Sequence, residues 1–211
     1  MSSIPPTARL AKPGSQQADA LGAALQGAAR VSRWLAWIGG ALLLLSALLV
    51  SLDVVFRAAL KVTYFESFEL STYAFAIATA LGMSFALVSR AHIRIEVAYM
   101  MLPPRARGWF DVIAYAMLAV CAGVVLYWSS MTVLGNLESG ARSNSSLAIP
   151  LAIPQGIWLV GLAWFALLAL LYTVYGLVKC LRGQADVAHR RLGVASVEEE
   201  IEASMGRESA S

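Results

Sequence analysis

Charge is what this sequence has least of. Only 14% of its 211 residues are Asp, Glu, Lys or Arg, against about 25% in a soluble domain. The hydrophobic share is 59% and the mean hydropathy is +0.67. That balance excludes a disordered chain, a disulfide scaffold and an ordinary cytosolic enzyme. The natural solvent for most of this surface is lipid. Cysteine is scarce as well. Cys121 falls inside an apolar run and Cys180 at the end of another, where they read as small buried hydrophobes and not as a staple. The two histidines, His92 and His189, lie outside the apolar runs, which disfavours a bundle that holds haem between facing histidines. There is no P-loop, no pair of catalytic carboxylates and no metal-ligand spacing. Neither an enzyme activity nor a cofactor is expected. Residues 1–33 lack the apolar centre of a cleavable signal peptide, so the first apolar run is expected to act as the targeting signal.

Long apolar runs are what the sequence has in abundance. A membrane-spanning helix needs roughly 20 such residues, and four runs qualify: 34–56, 70–89, 112–134 and 155–178. The first contains Asp53 near its end, and the other three carry no charge. Barrel strands are excluded because they alternate over stretches of about 10 residues. The expected fold is therefore an all-α integral membrane protein with four transmembrane helices at about 34–56, 68–89, 110–134 and 155–178. They form a membrane domain over 34–180, between an N-terminal tail at 1–33 and a C-terminal tail at 181–211. No long internal repeat is evident, so an inverted-repeat transport core is not suggested.

Lysine and arginine set the orientation. Thirteen of the sixteen fall in the two tails and in the segment between the second and third helices. Only Arg57, Lys61 and Arg142 fall in the other two loops. The positive-inside rule places both termini and the middle segment in the cytoplasm, an N-in, C-in topology. The net charge of +3 is then a topology signal and not a mark of nucleic-acid binding. The middle segment alternates like a strand from His92 to Val97, turns apolar, and stops at Pro103 and Pro104. It is expected to be a short interfacial element. Leu21, Leu25, Ala28 and Leu35 form a weak helical stripe. That stripe fits either a helix lying on the membrane surface or an extension of the first span. Trp34 and Trp37 sit where an aromatic belt belongs. The run of glutamates in the C-terminal tail reads as solvated.

Few charged residues remain as candidates. Asp53 and Arg57 are spaced i, i+4 and can pair. Glu66 and Glu69 precede or open the second helix, and Asp111 is expected to open the third, where the helix dipole favours a carboxylate. Helix-end anchoring explains all of them. Ion-coupled transporters usually place ionisable groups at mid-membrane depth, and these runs hold only hydroxyls there, such as Ser46, Thr79 and Ser84. Such residues serve helix packing. A bundle with nothing polar at its centre works through another protein, as a membrane accessory subunit. An independent small exporter is weakened by the missing membrane-embedded carboxylate. A membrane anchor subunit of a respiratory complex is weakened by the histidine count.

Three local patterns in order carry a resemblance. The first is the acidic entry to the second helix, Phe65-Glu66-Ser67-Phe68-Glu69-Leu70, after a short loop that contains Arg57. The second is Ser89-Arg90-Ala91-His92-Ile93-Arg94-Ile95-Glu96, followed by Leu102-Pro103, Arg105 and Arg107. The third is the Ser- and Pro-containing lead from Ser145 to Pro154, then Gly156. Together they resemble the small membrane subunit of tripartite ATP-independent periplasmic (TRAP) transporters, the DctQ-type family, over residues 34–180. The family's acid after His-Ile is often Asp, and here it is Glu96.

The resemblance implies a multi-pass protein of the bacterial inner membrane. A large permease subunit would carry the substrate, usually with sodium ions. A periplasmic binding protein would deliver an organic acid. The small subunit would brace the immobile part of the large one and offer a docking surface on the outside. On that reading Glu66 and Glu69 lie on the outer face near a partner. Arg90, His92 and Glu96 hold the middle segment at the cytoplasmic interface. Asp53 and Arg57 form a fixed outer pair.

Overall fold

The computed structural model describes residues 13–61, 66–89 and 104–183, with side chains from residues 21 and 106 onward in the first and last of these stretches. Its four helices are α1 (Pro13–Leu60), α2 (Ser67–Val88), α3 (Pro104–Glu138) and α4 (Ala152–Leu181). Each is long and apolar enough to cross a membrane. The expected all-α, four-span architecture is the one observed. Among the described residues the only strand-like feature is an isolated bridge between Arg142 and Pro150. The middle segment, with Arg90, His92 and Glu96, and the C-terminal tail beyond Gly183 lie outside the described residues.

The helix ends follow local chemistry, and the apolar runs mark only the part that needs lipid. Pro13 and Pro104 open α1 and α3, because a first-turn proline lacks only an N–H that has no helical partner anyway. Pro154 sits in the first turn of α4 for the same reason. Gly140 closes α3 at φ +63°. The Ala141 N–H reaches the Asn136 carbonyl at 3.0 Å and the Gly140 N–H reaches Leu137 at 3.4 Å, a Schellman stop that needs the left-handed conformation. Gly183 ends α4 at φ +71°, with its N–H on the Cys180 carbonyl at 3.0 Å.

Of the two readings of the stretch before residue 34, the structure has the extension: it is continuous with the first span, so α1 is 48 residues long, roughly 72 Å at the helical rise. One feature differs from the reading of the sequence. Asp111 does not open α3. The helix begins at Pro104, so Asp111 lies about two turns inside it, where it is fully buried. Its field reaches Cys180 on α4. The Pro103-Pro104 pair was the overlooked start signal.

Both short connections, 61–66 and 139–151, lie at one end of the bundle, called here the hairpin end. The opposite, terminal end holds residue 13 and residue 183. The helices pack as a row and not as a closed ring. α1 lies on α2, α2 on α4, and α4 on α3, with a smaller α1–α4 contact. Two glycines let backbones meet. A Cβ on Gly39 would lie 3.1 Å from the Ala78 carbonyl oxygen, and one on Gly161 would lie 2.9 Å from the Ala80 Cβ. α2 thus touches α1 and α4 through small residues, as membrane helices do when no hydrophobic force drives them together.

At the terminal end α2 stops at Val88, and the long α1 meets α4 instead. Leu25 and Ala28 join Val112, Tyr115, Phe165, Leu168, Tyr172 and Tyr175 in the largest buried cluster. Tyr115 and Tyr172 stack with ring centroids 5.3 Å apart. The Trp164 indole N–H donates to Ser32 Oγ at 3.0 Å and pins α1 to α4. Cys121 is exposed and Cys180 buried, both as free thiols.

The row geometry makes a testable distinction between glycines. Gly161→Val should force α2 and α4 apart and cost about 1–3 kcal/mol of stability, the usual range for overpacking. Gly123→Val, in open space, should change it by less than about 0.5 kcal/mol. Thermal unfolding of the detergent-purified chain reads both.

Candidate functional site

The polar chemistry of the hairpin end is built by the last turns of α1, the first turn of α2 and the α3–α4 loop. Asp53 is 2% exposed. Its Oδ2 accepts from Arg57 Nη2 at 2.7 Å and from Ser67 Oγ at 2.6 Å. The i, i+4 pair expected from the sequence is therefore present. Its geometry is asymmetric, because the Arg57 side chain is 58% exposed. Arginine can lay its stem along apolar surface and keep its head in water, while the carboxylate stays inside. Ser67 is the residue that sequence reasoning missed. As the first residue of α2 it reaches back to α1 and locks the two helices across the turn. Asp53 Oδ1 is buried without a hydrogen-bond partner. A buried charge of this kind is stable only while its other bonds hold.

The second cluster lies one turn away. Glu66 occupies the N-cap position of α2 but makes no capping bond with its side chain. Its Oε1 instead accepts from Ser146 Oγ at 2.6 Å, eighty residues further along the chain. Glu69 lies in the first turn, and its Oε1 accepts from the Tyr73 hydroxyl at 2.6 Å. The hydroxyls of Ser145 and Ser143 face the same carboxylate, although none closes a bond on Oε2, which is buried. The two acids expected to face a partner are thus also the seat of this chain's own loop.

The loop is a built object. The Ser143 N–H donates to the Ile149 carbonyl at 2.9 Å, and the Leu151 N–H to Ala141 at 3.0 Å. Arg142 Nη1 donates to the Ala148 carbonyl at 3.1 Å. Asn136 Nδ2 donates to Gln155 Oε1 at 2.7 Å and stitches the feet of the loop together. Ala148 holds φ +44°, a conformation that a non-glycine residue keeps only where surrounding bonds impose it. Between loop and helix lies a cleft of about 440 Å³, lined by Glu66, Phe68, Glu69, Tyr73, Arg142 and Asn144, among others. Phe68, on its rim, is 83% exposed.

The structure therefore brings Asp53, Arg57, Glu66 and Glu69 to one end and joins them through Ser67, Tyr73 and the loop serines. It gives no position for Arg90, His92 or Glu96, which lie outside the described residues. Among the described residues no three metal-ligating side chains converge. Its chemistry is that of a fastener: carboxylates accept hydrogen bonds from hydroxyls, and two helical hairpins are held together.

Comparison with known proteins bears on what the fastener serves. The family model described as tripartite ATP-independent periplasmic transporters, DctQ component, matches residues 46–180. No curated protein and no solved structure gives a match.

The two bonds of the fastener should differ in weight. Ser67→Ala strips a buried, charge-assisted bond from Asp53 and should cost about 1–3 kcal/mol. Ser146→Ala removes an exposed bond and should cost less than about 1 kcal/mol. Denaturation of the purified chain, with Ser71→Ala as a control, orders the three.

Proposed function

This chain belongs to the DctQ family, the small membrane component of tripartite ATP-independent periplasmic transporters, and we propose that it braces a large permease subunit during ion-coupled uptake of an organic acid. The family is a transporter component and not an enzyme family, and it works with a large permease and a periplasmic binding protein. In this reading the chain sits in the bacterial inner membrane with both termini in the cytoplasm. The terminal end of the bundle is then the inner side and the hairpin end the outer side. The binding protein delivers the substrate and the permease moves it. The small subunit stays rigid and gives the moving part something to move against.

One observation carries the reading. The four helices lie in a row and keep charged side chains out of their long uncharged runs, 34–52, 70–89, 112–134 and 155–178. At most 39% of the most apolar stretch of any span is buried within the chain. A row of this kind exposes two broad apolar faces, and no described span carries a charge at mid-membrane depth where an ion would be handed on. Such a shape suits a surface that a larger membrane protein covers. Glu66 and Glu69, with Asp53 and Arg57 beside them, set the outer end on which the large subunit or the binding protein rests. Arg90, His92 and Glu96 would hold the middle segment at the inner interface.

Deletion of the gene, with the genes of both partners intact, should abolish uptake, and detergent extraction of the wild type should recover the chain with a much larger membrane protein. Full uptake in the deletion strain, or a chain that transports alone in vesicles, would contradict the proposal. Reporters fused to each end should both read the cytoplasm. The outer acids give a finer test. Glu66→Gln with Glu69→Gln should lower uptake or complex yield severalfold, since a hydroxyl bonds a neutral amide oxygen more weakly than a carboxylate. Neutralising Glu198, Glu199 and Glu200 in the tail should leave both unchanged.

A further inference from the structure

Docking fixes the rotation of α1 about its own axis. Leu25, Ala28 and Ser32 are buried, and Gly39 lies against Ala78. The spacing 25, 28, 32, 39 is one helical face. The opposite face carries Arg30, Arg33, Trp34 and Trp37, at i, i+3, i+4 and i+7. All four are exposed, the two indoles at 68% and 74%. No carboxylate occurs on α1 between Asp19 and Asp53, so this face has a single sign. It lies where the long apolar run of α1 begins, and the contact of Gly39 with Ala78 sets it level with the last turns of α2, which stops at Val88.

We propose that this face binds the headgroups of anionic phospholipids in the leaflet at the terminal end. Guanidinium forks match phosphate oxygens two at a time, and indoles settle at the level of the headgroups. The pairing of two arginines with two tryptophans, locked outward by the Ser32–Trp164 bond on the far side of the helix, makes a preformed cationic and aromatic strip. It favours anionic over zwitterionic lipid by charge complementarity. The proposal is independent of the permease reading and holds whether or not a large subunit is bound elsewhere on the row.

The test uses the full-length chain in phosphatidylcholine nanodiscs that contain either brominated phosphatidylglycerol or brominated phosphatidylcholine at equal mole fraction. Quenching of Trp34 and Trp37 is isolated by comparison with the Trp34→Phe/Trp37→Phe variant. Brominated phosphatidylglycerol should quench more strongly in the wild type. Arg30→Gln or Arg33→Gln should lower that preference about fivefold, and both together about thirtyfold, because a cationic side chain near an anionic surface is worth about 1 kcal/mol. Arg142→Gln, at the opposite end, should leave it unchanged. Equal quenching by the two lipids in the wild type overturns the proposal. So does a preference that survives the double substitution, or loss of quenching by both lipids when the chain is purified with a larger membrane protein, which would assign the strip to a protein partner.

Discussion

A charged side chain at the centre of a bilayer costs several kcal/mol, and the rest of this structure is arranged around that constraint. The described charged groups lie outside the long uncharged runs of the four helices. The middle of each span is left with Leu, Val, Ala and hydroxyls that bond their own helix, as Thr79 does to the Phe75 carbonyl at 2.7 Å. With few polar contacts available along the spans, the helices hold together there mainly by close approach. Gly39 against Ala78 and Gly161 against Ala80 set the spacing. Polar specificity is displaced to the two ends, where water lowers its cost.

The two ends solve the same problem differently. At the hairpin end, carboxylates are matched to hydroxyls: Asp53 to Ser67, Glu66 to Ser146, Glu69 to Tyr73. The first ties α1 to α2, the second ties α2 to the α3–α4 loop, and the third lies within α2. At the terminal end the work falls to aromatic packing around Tyr115, Tyr172 and Tyr175, with α1 filling the space that the shorter α2 leaves. Leu25, Ala28 and Ser32 lie before residue 46, where the family match begins. The packing at the terminal end therefore reaches beyond the part of the chain that the family model covers. A row fastened at both ends and featureless between them is stiff, and stiffness is what a brace contributes to a moving partner.

Much of this was legible in the residues. The four spans follow from uninterrupted apolar runs, because lipid imposes a length on any helix that crosses it. The Asp53–Arg57 pair follows from spacing, because i, i+4 neighbours share a face in any helix. The partners of Glu66 and Glu69 did not follow. Ser143, Ser145 and Ser146 look like ordinary loop polarity until the fold carries them some eighty residues back to α2. The start of α1 was hidden for another reason. Residues 18–33 are rich in alanine, which favours helix strongly but gives a poor apolar stripe. Asp111 was misplaced because its run of apolar neighbours begins after it, while the helix begins at Pro104. Helix ends obey caps and prolines, and hydropathy marks only the part in lipid.

The central claim is that the small subunit is a rigid brace and that transport does not require its two hairpins to move apart. Cysteines placed at Glu66 and Ser146, in a background lacking Cys121 and Cys180, allow the loop to be fastened to α2 with a short thiol-to-thiol linker in the assembled transporter. The account predicts that the fastened complex takes up substrate at the rate of the same complex before linking. Uptake that falls to background on linking and returns when the linker is cleaved would contradict it.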